Sequence, residues 1–183
     1  MIIGLAGYAR SGKDTVAGIL VEHGFQRTAF ADPLREMLIE LDPTVSSWPG
    51  KTRLHEVIEE YGWERCKDSP EIRRMLQLLG DNLRRNLGSN ALIMPVVTLI
   101  DSDDAQDWVV SDVRLPQEAD ALRSLGGVVW RVARPGVGPV NGHRTEAAVD
   151  SIHPDVVIDN DADIPALTAK VLAQLASTQA VAI

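Results

Sequence analysis

Cysteine is almost absent from this chain of 183 residues. Cys66 stands alone, so no intrachain disulfide can form, and a reducing compartment, the cytoplasm, is the expected setting. Lysine is scarce too, with Lys13, Lys51, Lys67 and Lys170 set against fourteen arginines. No apolar run approaches the ~20 residues needed to cross a bilayer. Strand pattern begins at residue 2, so no signal peptide is expected. Positive charge is the minority sign: the formal net charge is −8, and such a surface repels nucleic acid and anionic membrane. Neither is expected as a partner. A small anionic ligand would need local positive charge, and the forked arginine side chain suits phosphate. Internal repeats and linkers are also missing, so the apolar content of 45% is expected to build one domain with a full core.

What the chain does have is a glycine-bounded loop, Gly7-Tyr8-Ala9-Arg10-Ser11-Gly12-Lys13-Asp14-Thr15, directly after the apolar run Ile2–Ala6. Gly7 to Lys13 fit the spacing G-x-x-x-x-G-K-[ST], in which backbone N–H groups of the loop and helix start wrap phosphates and the lysine adds a mobile charge. Asp14 departs from it, standing where Ser or Thr ordinarily holds Mg²⁺. A tight glycine turn between strand and helix is the plainer alternative.

Around that loop, short apolar strands alternate with helices. Strands are expected at residues 2–6, 25–31, 108–111, 128–132 and 156–158. Helices are expected at 15–23, 33–41, 53–61, 70–87, 91–100, 116–125 and 164–175, with residues 42–51 as a loop. Asp32-Pro33 reads as an N-cap followed by proline at the first helical position. The alternation implies an α/β fold with a parallel sheet of about five strands covered on both faces. Residues 33–100 are too long for a simple crossover and read as a helical insertion; the core is then 1–32 and 101–183. Residues 134–150, polar and bearing Gly and Pro, read as a short lid.

Several constellations could carry chemistry. Val109-Val110-Ser111-Asp112 is an apolar strand ending in an acid, the arrangement that presents a carboxylate to Mg²⁺ beside phosphates; Asp112 as the cap of a turn is the alternative. Arg114 follows it. Arg131, Arg134, His143 and Arg144 could place charge near a transferring group, or simply face water. In the insertion, Arg73, Arg74, Gln77, Asp81, Arg84 and Arg85 recur at helical spacing, beside an apolar stripe of Met75, Leu76, Leu79 and Leu83. A solvated helix face explains the charges equally well. Asp159-Asn160-Asp161 could flank a base through its backbone or form a strand-to-helix turn.

Taken together, these pieces resemble the phage-type deoxynucleoside monophosphate kinases of the P-loop nucleoside monophosphate kinase group. The resemblance is carried by the loop form G-x-x-x-S-G-K-D-T, by Phe30-Ala31-Asp32-Pro33-Leu34 and by Met75–Arg84. Residues Val110–Ala119, Arg134-Pro135, His143-Arg144-Thr145-Glu146 and Ile158-Asp159-Asn160 add to it. It implies a three-layer α/β/α P-loop fold with an inserted helical NMP-binding cap and short lid. It also implies transfer of the ATP γ-phosphoryl group to a deoxynucleoside monophosphate, with Mg²⁺. Asp14 is then one of the family's marks. On this basis Gly7, Arg10, Ser11, Gly12, Lys13, Asp14, Thr15, Arg134 and Asn160 would bind ATP. Asp14, Thr15 and Asp112 would serve the metal, and Asp32, Arg35, Arg74, Gln77, Arg84 and Glu146 the acceptor. Lys13, Arg114, Arg131 and Arg144 would meet transition-state charge. A homodimer is compatible with this scheme. Phosphomevalonate kinases share G-K-D and F-A-D-P-L, so a kinase of another small phosphate is one alternative, and a nucleotide-hydrolysing switch another. Against a GTPase, no N-K-x-D occurs.

Overall fold

The computed structural model describes residues 1–47, 50–66, 68–103, 105–138 and 148–181. It divides into two compact units, residues 1–30 with 96–183, and residues 31–95.

The first unit is a five-stranded parallel sheet. Its strands are β1 (Ile2–Ala6), β2 (Gln26–Thr28), β5 (Trp108–Val113), β6 (Val128–Ala133) and β7 (Val156–Asp159), in the order β2-β5-β1-β6-β7. β1 lies at the centre, parallel to β5 on one side and β6 on the other. Period-two alternation sends its side chains to opposite faces. Ile3 and Leu5 join Val16 and Leu20 of α1 (Lys13–Glu22), together with Leu167 and Val171 of the last helix (Ile164–Val181). On the other face, Gly4 is overlain by Leu122 of the helix Pro116–Ser124. Helices therefore cover both faces, giving the three layers that the alternation implies. Parallel strands put all carboxyl ends on one edge, and the chain leaves β1 there for the glycine loop.

The second unit holds α2 (Asp32–Leu41), a hairpin of β3 (Thr44–Ser47) and β4 (Gly50–Arg53), α3 (Leu54–Tyr61), α4 (Trp63–Cys66) and α5 (Pro70–Leu87). Leu38, Val45, Leu54, Cys66 and Ile72 form its core, with Met75 and Leu76 packed against them. The Cys66 thiol is pushed up from its ordinary pKa by burial. Among the described residues no helix is long and apolar enough to cross a membrane.

Four local expectations need correction. The segment expected as a loop contains the β3–β4 hairpin, because Val45 points into the core while Thr44 and Ser46 face out. β2 is shorter than residues 25–31: it is an edge strand with only β5 beside it, and the Phe30 N–H is taken by the Asp112 carboxylate. Asp32 is not a cap, since Ala31 precedes the helix without a side-chain bond and Asp32 lies within the first turn. The helix expected at 91–100 is a 3₁₀ turn (Ser89–Ala91) followed by α6 (Ile93–Asp101).

Asp42 organises the start of α3. It closes α2 in a left-handed conformation (φ 44°), accepts the backbone N–H of His55 at 2.9 Å, and binds Arg53 Nε at 2.8 Å and the His55 ring Nδ1 at 2.7 Å. These partners, the His55 backbone N–H foremost, bring its pKa from 3.8 to about 2. A carboxylate with a depressed folded pKa stabilises fully above its unfolded value and loses that contribution as pH falls through the folded one. Asp42→Asn should therefore lower the denaturation midpoint at pH 7. The difference from wild type should shrink between about pH 4 and pH 2, as measured by circular dichroism across that range.

Candidate functional site

The loop between β1 and α1 takes backbone shapes that require glycine at both ends. Gly7 has φ +143°, and a Cβ there would sit 2.6 Å from the Val132 carbonyl oxygen. Gly12 has φ +103°, and a Cβ would run into the Asn160 side-chain amide. α1 starts at Lys13 with Gly12 as its cap residue and no capping side chain, so the N–H groups of its first turn are directed to the loop's interior. Lys13 Nζ donates to the carbonyls of Gly7 (2.8 Å) and Tyr8 (2.7 Å), which holds its charge over the loop. Ser11 is buried, and its Oγ has no hydrogen-bond partner among the described residues. Asn160 fastens the loop from β7: its Nδ2 donates to the Ser11 carbonyl at 2.8 Å and its backbone N–H to Ala133 O at 2.7 Å. Tyr8 Oη donates to Asp150 at 2.6 Å.

On the β5 side, Asp112 Oδ1 accepts the Phe30 N–H at 2.7 Å. Asp14 is exposed and paired with Arg27, whose Nε also donates to Ser111 Oγ at 3.1 Å. Among the described residues, no three acidic, histidine or cysteine side chains come together as a ready-made metal cage. Next to the loop lies an open cavity of about 550 Å³, lined by Gly12, Thr15, Arg134 and Asn160, by Asp163, and by Ile164, Pro165 and Leu167 at the start of the last helix. That is room for a nucleobase and its sugar.

The sequence candidates fall unevenly on this geometry. Gly7, Ser11, Gly12, Lys13 and Thr15 build the loop and helix start, and Arg134 and Asn160 flank the cavity. Arg10 lies on the loop, exposed, with φ +66°. Arg114 is exposed; its backbone N–H donates to the buried Glu118 carboxylate at 2.8 Å. Arg131 is engaged elsewhere, donating from Nη2 to the carbonyls of Val149 (2.7 Å) and Ile152 (2.8 Å) and bracing the 3₁₀ turn Ala148–Ser151. Arg144, Glu146 and His143 lie outside the described residues.

In the second unit, Arg35 is 3.9 Å from Asp32 and stacks over Trp63, 5.7 Å from the ring centroid. Gln77 and Arg84 are half-buried on α5, seven residues apart and so on one face, while Arg74 is exposed. Sequence reasoning missed Arg27, Asp150 and Asp163. Asp163 did carry a local signal, as the residue whose carboxylate accepts the Ala166 N–H at the helix start (3.0 Å).

A glycine loop after the central strand of a parallel sheet, an uncapped helix start with its lysine, and a cavity beside it define the class of phosphate-loop α/β folds. Solved structures agree on the fold. A sugar kinase from Janibacter sp. HTCC2649 superposes with a TM-score of 0.54 at 14% identity, over 95% of this chain and 93% of that one. Dephospho-CoA kinase from Campylobacter jejuni does so with 0.51 at 15% identity, over 100% and 98%. Among curated proteins, a putative deoxynucleotide monophosphate kinase of Acanthamoeba polyphaga mimivirus is 31% identical over 90% of each chain. The deoxynucleotide monophosphate kinase of Escherichia phage RB69 is 32% identical over 57% of this chain and 44% of its own length. Residues 44–171 match the family model for deoxynucleotide monophosphate kinase. The chain belongs to the deoxynucleotide monophosphate kinase family. A phosphomevalonate-type kinase or a nucleotide switch is not favoured by that membership.

Gly7→Ala places a methyl group against a backbone oxygen that cannot swing away, whereas at Gly12 the obstacle is a side chain. Both variants should lose nucleotide binding by at least about tenfold. Gly7→Ala should be the worse in thermal stability, read as the larger fall in Tm by circular dichroism.

Proposed function

We propose that this protein transfers the γ-phosphoryl group of ATP to a 2′-deoxynucleoside 5′-monophosphate, giving the diphosphate for DNA precursor synthesis. One observation carries it: Gly12 and Thr15 belong both to the phosphate loop and to the wall of the base-sized cavity. A nucleotide whose phosphates lie on the loop would therefore have its base in that cavity, between Arg134 and Asn160. Relatives named deoxynucleotide monophosphate kinase support the acceptor class.

In this scheme residues 7–15 cradle the donor phosphates, and Lys13 exchanges its loop carbonyls for phosphate oxygens. The buried Ser11 hydroxyl, which a Cβ at Gly7 would meet at 2.9 Å, is a further polar group of the same loop. Mg²⁺ in phosphoryl-transfer sites takes one or two protein oxygens and fills the rest with water and phosphate, so Thr15 and Asp112 would suffice to hold it, the Asp14 carboxylate being engaged by Arg27. It would supply neutralisation of phosphate charge. Arg114 is assigned to transition-state charge at the end of β5, and Arg131 to bracing the 148–151 turn. On the second unit, Asp32, Arg35, Arg74, Gln77 and Arg84 are assigned to the acceptor. An acceptor monophosphate is largely ionised at pH 7, its second pKa being about 6, so attack needs no general base from the protein.

ATP consumption measured with each dNMP, each NMP and phosphomevalonate should depend on a dNMP. Equal rates with and without every acceptor would exclude the kinase assignment. Lys13→Ala should lower turnover by about a hundredfold or more while the far-ultraviolet circular dichroism stays unchanged. Arg84→Ala should chiefly raise the acceptor KM; an effect confined to ATP would move Arg84 to the donor side.

A further inference from the structure

Arg27 belongs to no recognised part of a phosphate loop, yet its side chain joins two elements of this one. It stands on the edge strand β2 opposite Val109 in the ladder with β5. Val109 packs in the core with Val16 and Leu20 of α1, so the face of β5 that carries Val109 and, two residues on, Ser111 is the face covered by α1. From that face Arg27 Nε donates to the buried Ser111 hydroxyl at 3.1 Å, and Nη2 pairs with the Asp14 carboxylate in the first turn of α1. The bond to a buried hydroxyl orients the guanidinium fork. The Arg27 end of the pair is therefore held in place by Ser111, while the Asp14 carboxylate stands largely exposed.

The chemistry of position 14 gives that pair a purpose. A carboxylate in the first turn of a helix is favoured by the helix dipole, but the same helix start is the seat proposed for phosphates. An uncompensated Asp14 would occupy the favourable field and repel a polyanion a few ångströms away. The ordinary loop avoids this conflict with a neutral Ser or Thr at that place.

We propose that Arg27 is a positioning residue of the phosphate site. It draws the Asp14 carboxylate toward β2 and cancels its charge, so that Asp14 and Arg27 together occupy the place of the neutral hydroxyl residue. The loop then presents Lys13 and backbone N–H groups without an opposing negative charge. This rests on the nucleotide-phosphate role proposed for the loop.

Calorimetric titration with ATP, with and without Mg²⁺, on the full chain tests it, alongside Tm by circular dichroism. Arg27→Ala should raise the Kd for Mg²⁺-free ATP about tenfold, with Tm little changed. Arg27→Gln, which keeps bulk and a donor without the charge, should show a similar loss and serves if the alanine variant misfolds. Arg27→Lys should recover part of the binding. Asp14→Ser placed in the Arg27→Ala background should restore most of it, because the charge needing compensation is gone. Wild-type affinity in both Arg27→Ala and Arg27→Gln would overturn the proposal. So would a double variant as weak as Arg27→Ala, which would put Arg27 directly on the nucleotide. A wild-type chain that binds no ATP, or a Lys13→Ala variant that binds it normally, would overturn the role of the loop itself, and this inference with it.

Discussion

Everything at the carboxyl edge of the sheet depends on how the chain turns from β1 into α1. Two glycines in conformations closed to other residues bring the backbone against its neighbours, and those neighbours are the ends of β6 and β7. The Val132 carbonyl leaves no room beside Gly7, and Asn160 clamps the Ser11 carbonyl. A hydrogen bond of this kind is worth about 1 kcal/mol. Its larger effect is on shape, because a helix start without a capping side chain must be held open by something else. The strand order supplies that support: β6 and β7 follow on the same side of β1, so residues more than a hundred positions away complete a loop of nine.

Charge at this edge is arranged locally and against the grain of the whole molecule. The chain carries a net −8, yet the lysine of the loop and the arginines at positions 27, 114 and 134 gather on the sheet unit near the strand ends. Three acids on the sheet unit have partners. Asp14 has Arg27, Asp112 has the Phe30 N–H, and Glu118 takes the N–H groups of Arg114 and Leu115. These three negative side chains thus shape the site through what they bind.

The order of strands and helices was legible because apolar period and glycine–proline punctuation are local signals. So was the loop, whose spacing is contained in nine consecutive residues. The hairpin at 44–53 was hidden, since Pro43, Pro49 and Gly50 read as loop while the deciding contact, Val45 in the core, is a tertiary fact. Arg27 was hidden for the same reason, its partners being 13 and 84 residues away. Arg131 shows the converse. A basic residue at a strand end reads as functional, but two backbone carbonyls of a later turn engage it.

The lone thiol has a use that the chemistry of the site does not require. Cys66 lies 3% exposed in the core of the helical unit, beside Leu54 and Ile72. A reagent in water can reach it only when that unit opens, so the rate at which the thiol is labelled is a clock for local unfolding of residues 31–95. With no second cysteine to confuse the signal, opening of the helical unit can be timed apart from melting of the sheet, in the native chain and without an introduced probe.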